Sequence, residues 1–442
     1  MTPTDEQSSE RETTGEIVDV SEGGLGAILR RSASKISPLN LTMTSFLRKT
    51  PIHAQARIRW IIPIKEDMFK CGFEITSILE EHSQSLKQVI DNCKKLRPEF
   101  VQSTQEMLFF LKKIKSECDA FDKNCSDQTK RTIFVREKKQ EVIEDLDKRF
   151  KNIWEIFCTM DQEERAIHQH YSQEILNPLL AEIVQANHHV YYKPLGYSGD
   201  YLMMNFIYDY QGDHKYIGEN SYEMLFNNYT CNIPISCSNI ARKIYLKEKI
   251  LGTISEPFRD SQIQILSIAS GPAREITELL CEEKIVKPTK FRCLDFERKA
   301  LDHIKSEVDS IDAKKKHFFQ IDFFNEDIIR VIRNKDLKER LKGQDLIYAF
   351  GIYDYLSDRI ASRFTKELFD LLLPQGRLII CNASSEYESH RGYYELLGEW
   401  NMIYRTKAEM TEWTKSLGDN TEYYFEQPKN YLNYWYLVIS KK

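Results

Sequence analysis

The spacing of apolar residues changes twice along this chain. Between about residues 15 and 76, short runs of alternating apolar and polar positions are broken by Gly, Pro, Ser and Asp. Residues 15–19, 25–29, 55–62 and 69–75 are rich in β-branched or aromatic side chains, which predicts a small β-barrel or sandwich. From 78 to 187 the period becomes helical. Met107, Leu108, Leu111, Ile114, Cys118 and Phe121 recur at three- and four-residue spacing, as do Val142, Leu146, Phe150, Ile153 and Phe157. These are stripes of amphipathic helices without sustained heptads. Pro98 suits a helix start, residues 124–127 a helix–helix turn, and Asp161 an N-cap. From about 240 onward, strand-like runs at 263–269, 290–295, 317–322, 345–350 and 377–382 alternate with helical ones such as 274–283 and 359–373. That rhythm predicts a parallel sheet covered by helices. The rhythm ends at 421–426 and 433–440, which read as an antiparallel hairpin.

The chain thus divides into a β-rich segment (1–78), a helical linker or bundle (79–190) and an α/β segment (191–442). At 442 residues it exceeds one ordinary core. With 41% hydrophobic and 29% charged residues it has the composition of a soluble globular protein. A net charge of -5, with short basic runs beside acids, offers no concentrated face for nucleic acid. The ten cysteines are scattered without a CxxC pair. They read as buried thiols in a cytoplasmic protein, with no metal site and no disulfide framework. The first residues are polar and acidic, unlike a signal peptide, and no apolar run is long enough to span a membrane.

In an open parallel sheet, ligands sit beyond the carboxyl ends of the strands. The first such end carries Ala269, Ser270, Gly271, Pro272 and Ala273, small residues that let backbone N–H groups approach a phosphate, a carboxylate or a sugar edge. Asp295 follows the second strand, where a carboxylate accepts hydrogen bonds from ribose hydroxyls or, equally, caps a helix. Asp322 follows the third, with Phe323 and Phe324 beside it; the trio suits an adenine amine and ring face. A dinucleotide fingerprint would need glycine where Arg274 stands, so the pattern argues against NAD.

Residues 240–442 resemble class I S-adenosylmethionine-dependent methyltransferases. The resemblance rests on ASGPA (269–273) in place of the GxGxG core, CLDFERKAL around Asp295, QIDFF around Asp322, DLIYAFGIYDYL (345–356) and LLLPQGRLIICN (371–382). It implies a Rossmann-like sheet of seven strands ending in an antiparallel hairpin. It also implies S-adenosylmethionine as cofactor, held by Ala269, Ser270, Gly271, Pro272, Glu275, Asp295, Phe296, Asp322, Phe323 and Phe350. The family often has an acid in the first strand. Here that position is Ser267, and Glu275 or backbone carbonyls would meet the methionine amine instead.

Upstream, YYKPLGYSGDYLMMN (191–205) reads as a lid. Lys193, Tyr197, Asp200 and Tyr201 would orient an anionic acceptor, together with Arg242, while Met203, Met204 and Phe206 line the pocket. With SGPAREI, this stretch resembles bacterial methyltransferases that make 3-hydroxy fatty acid methyl esters. A carboxylate acceptor needs no general base, because its oxygen is already nucleophilic; a hydroxyl acceptor would need one, and Tyr353, Asp354 and His390 are the candidates.

At the N-terminus, IVDVSEGGLGAIL (17–29), with ARIRW and CGFEI, resembles the PilZ family, small β-barrels that often bind cyclic di-GMP. Asp19, Ser21 and Gly24 match its D/N-x-S-x-x-G motif. Of the upstream R-x-x-x-R pair only Arg11 is present, position 15 being Gly15. Two function classes fit these features: a methyltransferase regulated through its N-terminal domain, or a non-catalytic protein that uses the same folds to bind cyclic di-GMP or a partner.

Overall fold

The computed structural model describes residues 15–442 apart from 22, 31–38, 46–47, 66–67, 211–215, 257–261, 283–284, 286, 312–317, 388–389 and 429–430. By internal contacts the chain forms two compact units, one of residues 1–105 with 155–175, the other of 106–154 with 176–442.

In the first unit, β1 (Gly15–Ser21), β2 (Gly24–Arg30), β3 (Leu39–Ser45), β4 (Arg48–Lys65) and β5 (Met68–Ile78) make one antiparallel sheet in the order β1-β2-β5-β4-β3. Alternation puts Leu25, Ala27, Leu29, Ala54, Ala56, Cys71 and Phe73 into one core, which α1 (Glu80–Lys94) closes with Leu86, Val89 and Ile90. The strand β4 is longer than its sequence pattern predicts. Its first half pairs with β3 and its second with β5. Pro51 reads as a strand breaker, yet it lies opposite a register irregularity of the edge strand β3, where no ladder donor is required.

The helical stretch comprises α2 (Pro98–Asn124), α3 (Gln128–Cys158) and α4 (Gln162–Leu176). The starts at 98 and 128 are where Pro98 and the 124–127 turn predict them. Asp161 caps α4: its Oδ1 accepts from the Glu164 N–H at 2.9 Å, and the Glu164 carboxylate accepts from the Asp161 N–H at 3.2 Å.

In the second unit, α5 (Gln185–Tyr192), α6 (Tyr201–Asp209), α7 (Ser221–Asn232) and α8 (Pro234–Ser255) precede the sheet. Then β6 (Ile263–Ile268), α9 (Arg274–Cys281), β7 (Thr289–Asp295), α10 (Arg298–Ser310), β8 (Phe319–Asn325) and β9 (Gln344–Ala349) alternate, followed by α11 (Asp358–Asp370) and β10 (Leu372–Ala383). Two last strands, β11 (Thr421–Glu426) and β12 (Tyr434–Lys441), pair antiparallel. The order is β11-β12-β10-β9-β6-β7-β8, with β6 to β10 parallel and β12 antiparallel to β10. This is a seven-stranded, Rossmann-like sheet with a terminal hairpin. From β6 the chain steps outward through β7 and β8, then returns to the other side of β6 as β9. The switch point therefore lies between β6 and β9, and a crevice opens at their carboxyl ends. Every residue of β9 is buried, as expected of a strand covered on both faces.

Candidate functional site

A cavity of about 530 Å³ occupies that switch point. It lies wholly within the second unit. Its floor is the turn after β6. Ala269, Gly271 and Ala273 have φ of 52°, 53° and 45°, so three alternate residues are left-handed and two of them are alanines. The glycine spacing that the sequence lacks is thus retained as a conformation, at a cost of roughly 1–2 kcal/mol for each alanine. The turn is held by the Ser270 N–H to the Leu294 carbonyl (3.2 Å) and by the Gly271 N–H to Asp295 Oδ2 (2.8 Å).

Asp295 ends β7 and is nearly fully buried. Its Oδ1 accepts from the Glu297 N–H at 2.9 Å. Burial pushes its carboxyl above the usual range, opposed by these backbone donors. Phe296, half exposed, and Tyr197 lie beside it with rings 5.4 Å apart. Deeper in, Ser267, Glu275 and Tyr348 form one wall. The Tyr348 hydroxyl donates to Glu275 Oε1 at 2.7 Å, and the buried Ser267 hydroxyl has no partner among the described residues. Helix α8 and the turn after β9 also line the cavity: Arg242, Lys243, Leu246, Phe350, Gly351, Ile352 and Tyr355. Helix α6 adds Tyr201, Met204 and Tyr208, which share a face at i, i+3 and i+7.

Arg242 is the notable charge. Its guanidinium is buried, donates to Met204 Sδ at 3.4 Å and lies 5.5 Å from the Tyr434 ring centre. Among the described residues it forms no ion pair. Gly351, whose φ is 77°, lies beside it: a β-carbon there would meet the guanidinium at 3.6 Å, an ordinary van der Waals distance. Lys243, by contrast, is neutralised by Glu278 at 2.5 Å.

Of the residues singled out in the sequence, the cavity gathers Ala269, Ser270, Gly271, Pro272, Glu275, Asp295, Phe296, Phe350, Tyr197, Tyr201 and Arg242. Others lie elsewhere. Strand β8 continues to Asn325, so Asp322 is mid-strand and pairs with Lys290 at 2.8 Å, and neither it nor Phe323 lines the cavity. Asp200 caps α6 through the Met203 N–H and holds His189 Nε2 at 2.8 Å. Lys193 ends α5 and pairs with Glu399 at 2.7 Å.

The three general-base candidates also lie off the cavity lining. Tyr353 is buried in the sheet core, with its hydroxyl 3.1 Å from Thr365 Oγ1. Asp354, pushed up to about 6 by burial, accepts from the Ala383 N–H at 2.6 Å and so braces β10. His390 Nε2 lies 3.0 Å from Asp147 Oδ1. In the first unit, the Ser21 hydroxyl donates to the Gly24 carbonyl at 3.2 Å, and a β-carbon on Gly24 would lie 2.3 Å from the Phe73 carbonyl oxygen. Arg11 and the Asp19 side chain lie outside the described residues.

Sequence reasoning missed Tyr208, Lys243, Leu246, Tyr348, Ile352 and Tyr355. Tyr348 lies within β9 and Tyr355 six residues beyond its end, so their only signal was an aromatic in the segment around the fourth parallel strand; for the α8 residues only the fold supplies the position.

Comparison with known proteins adds to this geometry. Residues 2–92 match the PilZ domain family. The PilZ domain therefore coincides with the five-stranded sheet and α1. Comparison with curated proteins finds no match to the chain. Among solved structures, the chain is similar to a protein described as a possible exported protein from Bordetella parapertussis (15% identity, 55% of this chain and 79% of that one, TM-score 0.43). It is similar to the CMeT domain of the citrinin polyketide synthase (14%, 61% and 69%, 0.38). It is also similar to magnesium protoporphyrin IX methyltransferase of Synechocystis PCC 6803 with bound S-adenosylmethionine (10%, 46% and 81%, 0.33). Among the described residues, no helix is long and apolar enough to cross a membrane, and no cluster of His, Cys, Asp or Glu could hold a metal ion.

Proposed function

We propose that the C-terminal part of the chain is a cytoplasmic S-adenosylmethionine-dependent methyltransferase that acts on a small lipophilic acid, a hydroxy fatty acid carboxylate being the example, and that the PilZ domain regulates it. The observation that carries this reading is one cavity in which a left-handed turn (269–273) and the buried Asp295 face each other at the switch point of a parallel sheet. The cavity size is within the range of small-molecule and cofactor sites.

The residues fit the cofactor. Each Asp295 oxygen already accepts one backbone N–H and keeps a lone pair for a ribose hydroxyl. Phe296 and Tyr197 offer ring faces beside it. S-adenosylmethionine, when bound, supplies an electrophilic methyl group. The protein's part is then to orient the acceptor and exclude water. Arg242, buried and without a counter-ion, holds the acceptor carboxylate by paired hydrogen bonds, and Met204, Leu246 and Ile352 cover its chain. A carboxylate acceptor also agrees with Tyr353, Asp354 and His390 all lying off the cavity, since no proton need be removed.

A second reading, ligand binding without catalysis, draws on the turn itself: the Gly271 N–H is already engaged by Asp295. One experiment separates the two. Calorimetry with S-adenosylmethionine is expected to show binding that Asp295→Ala weakens at least tenfold. Transfer of a labelled methyl group to a hydroxy fatty acid panel is expected, with a rate that changes on adding cyclic di-GMP. Binding without transfer to any acid would favour the non-catalytic reading, and unchanged affinity in Asp295→Ala would refute the site.

A further inference from the structure

Side chains from three helices meet at Asn205, the residue of α6 that follows the cavity-lining Met204. Its Oδ1 accepts from Nε of Arg274, on α9, at 2.8 Å, and its Nδ2 lies 2.9 Å from Nε2 of His303, on α10. An arginine side chain only donates, so it fixes which way the amide points. The amide nitrogen therefore faces His303, and it too only donates. His303 Nε2 must then carry a lone pair, which makes the ring a neutral imidazole with its proton on Nδ1. Protonation has no relaxed alternative. An imidazolium sets an N–H against the Asn205 NH2 group, donor against donor. Turning the amide over would satisfy His303 but set the NH2 group against Arg274 Nε. Either way a half-buried donor loses its acceptor.

We infer that His303 is a positioning residue, which ties α6 to α9 and α10 only while its ring is neutral, so that acid loosens the cavity wall formed by Tyr201, Met204 and Tyr208. The groups around the imidazole act in both directions. Burial, the largest effect, disfavours the charged ring, as does Arg274 of α9; Glu307 of α10 and Asp209 of α6 favour it. The Tyr201 ring, 5.4 Å away on α6, also favours a cation. The sum holds the His303 pKa below its ordinary value. The tie is thus fully present above the ordinary imidazole value and is lost as pH falls through the depressed one. The device acts on the wall of the cavity whatever ligand the cavity holds.

The test is amide exchange of the full-length protein from about pH 8 to about pH 5, read as protection factors to remove the intrinsic effect of pH. Protection of residues 201–209 is expected to fall roughly tenfold or more on the acid side, as one donor loses its acceptor, while β6 and β9 stay protected. In His303→Gln the side-chain carbonyl accepts from Asn205 and does not titrate, so most of the acid loss should vanish. Loss caused by Asp209, by Glu307 or by the His189–Asp200 contact at the start of α6 would persist in that variant. A flat wild-type profile, or an acid loss of the same size in His303→Gln, overturns the assignment. Nitrogen NMR of the wild type needs no variant: His303 Nε2 is expected to be unprotonated at about pH 8, and a proton found there overturns the assignment as well.

Discussion

Two residues of the turn after β6 show how a loop keeps its shape when its sequence changes. Ala269 and Ala273 hold the left-handed backbone that glycine adopts freely, and they can do so because an alanine methyl is small and Ala273 packs into the core. Gly271, between them, is different. A β-carbon there would meet nothing within 4 Å, because the residue faces the open cavity. Gly271→Ala is therefore expected to fold, losing only about 1–2 kcal/mol to the left-handed backbone. Ligand affinity should fall much further, by tenfold or more, since the added methyl projects into the space a nucleoside would take. Denaturant unfolding and calorimetry of the same variant check the two halves. A large loss of stability with unchanged affinity would show that Gly271 serves the turn and not the ligand. From the sequence, the scarcity of glycine reads as a defect in this loop; the dihedral angles that resolve it are set by packing between β6, β7 and α9 and leave no trace in residue type.

At the scale of elements, α6 depends on its neighbours for its helical form. It supplies Tyr201, Met204 and Tyr208, yet it is only nine residues long, short of what an isolated helix needs in water. Besides the apolar cluster that buries Met203, Met204, Ile207 and Tyr208, it is tied by Arg274, the first residue of α9, whose Nε donates to Asn205 Oδ1 at 2.8 Å and whose Nη2 pairs with Asp209 at 2.5 Å. His303 of α10 adds a hydrogen bond to Asn205 at 2.9 Å. Arg274→Ala should therefore speed amide exchange in residues 201–209 at least tenfold while leaving β6 and β9 protected. Equal protection of α6 in the variant would refute the anchor. Arg274 is also the residue whose bulk argues against a dinucleotide site, so one side chain explains both the missing glycine and the tethered helix. The strands themselves were legible, since 263–268, 421–426 and 434–441 follow apolar runs closely. The third strand was legible too, but its end was not. Phe323 and Phe324 read as a post-strand loop, but they are β-formers and the strand runs through them to Asn325, which moves Asp322 away from the carboxyl end. A shift of three residues was enough to lose a candidate ligand.

At the scale of the molecule, helical periodicity reveals that a face is buried but not against what. Phe100 and Met107 lie on one continuous helix and are equally buried, yet the first belongs to the PilZ-bearing unit and the second to the α/β unit. A reading by consecutive segments cannot represent such a division, because α2 and α3 each contribute to both units. The cores that give each unit its stability are nevertheless distinct. One is the five-stranded sheet closed by α1; the other is the seven-stranded sheet and its helices. Two such cores need not unfold together. Scanning calorimetry is therefore expected to show two transitions that respond to different perturbations. S-adenosylhomocysteine at about a hundred times its dissociation constant should stabilise the α/β transition by roughly 2.7 kcal/mol and leave the other in place. Gly24→Ala should do the reverse, because its β-carbon would press to 2.3 Å from the Phe73 carbonyl oxygen and force β2 and β5 apart without touching the cofactor cavity. If instead each perturbation moved both transitions, or only one transition appeared, the shared helices α2 and α3 would be transmitting stability between the units.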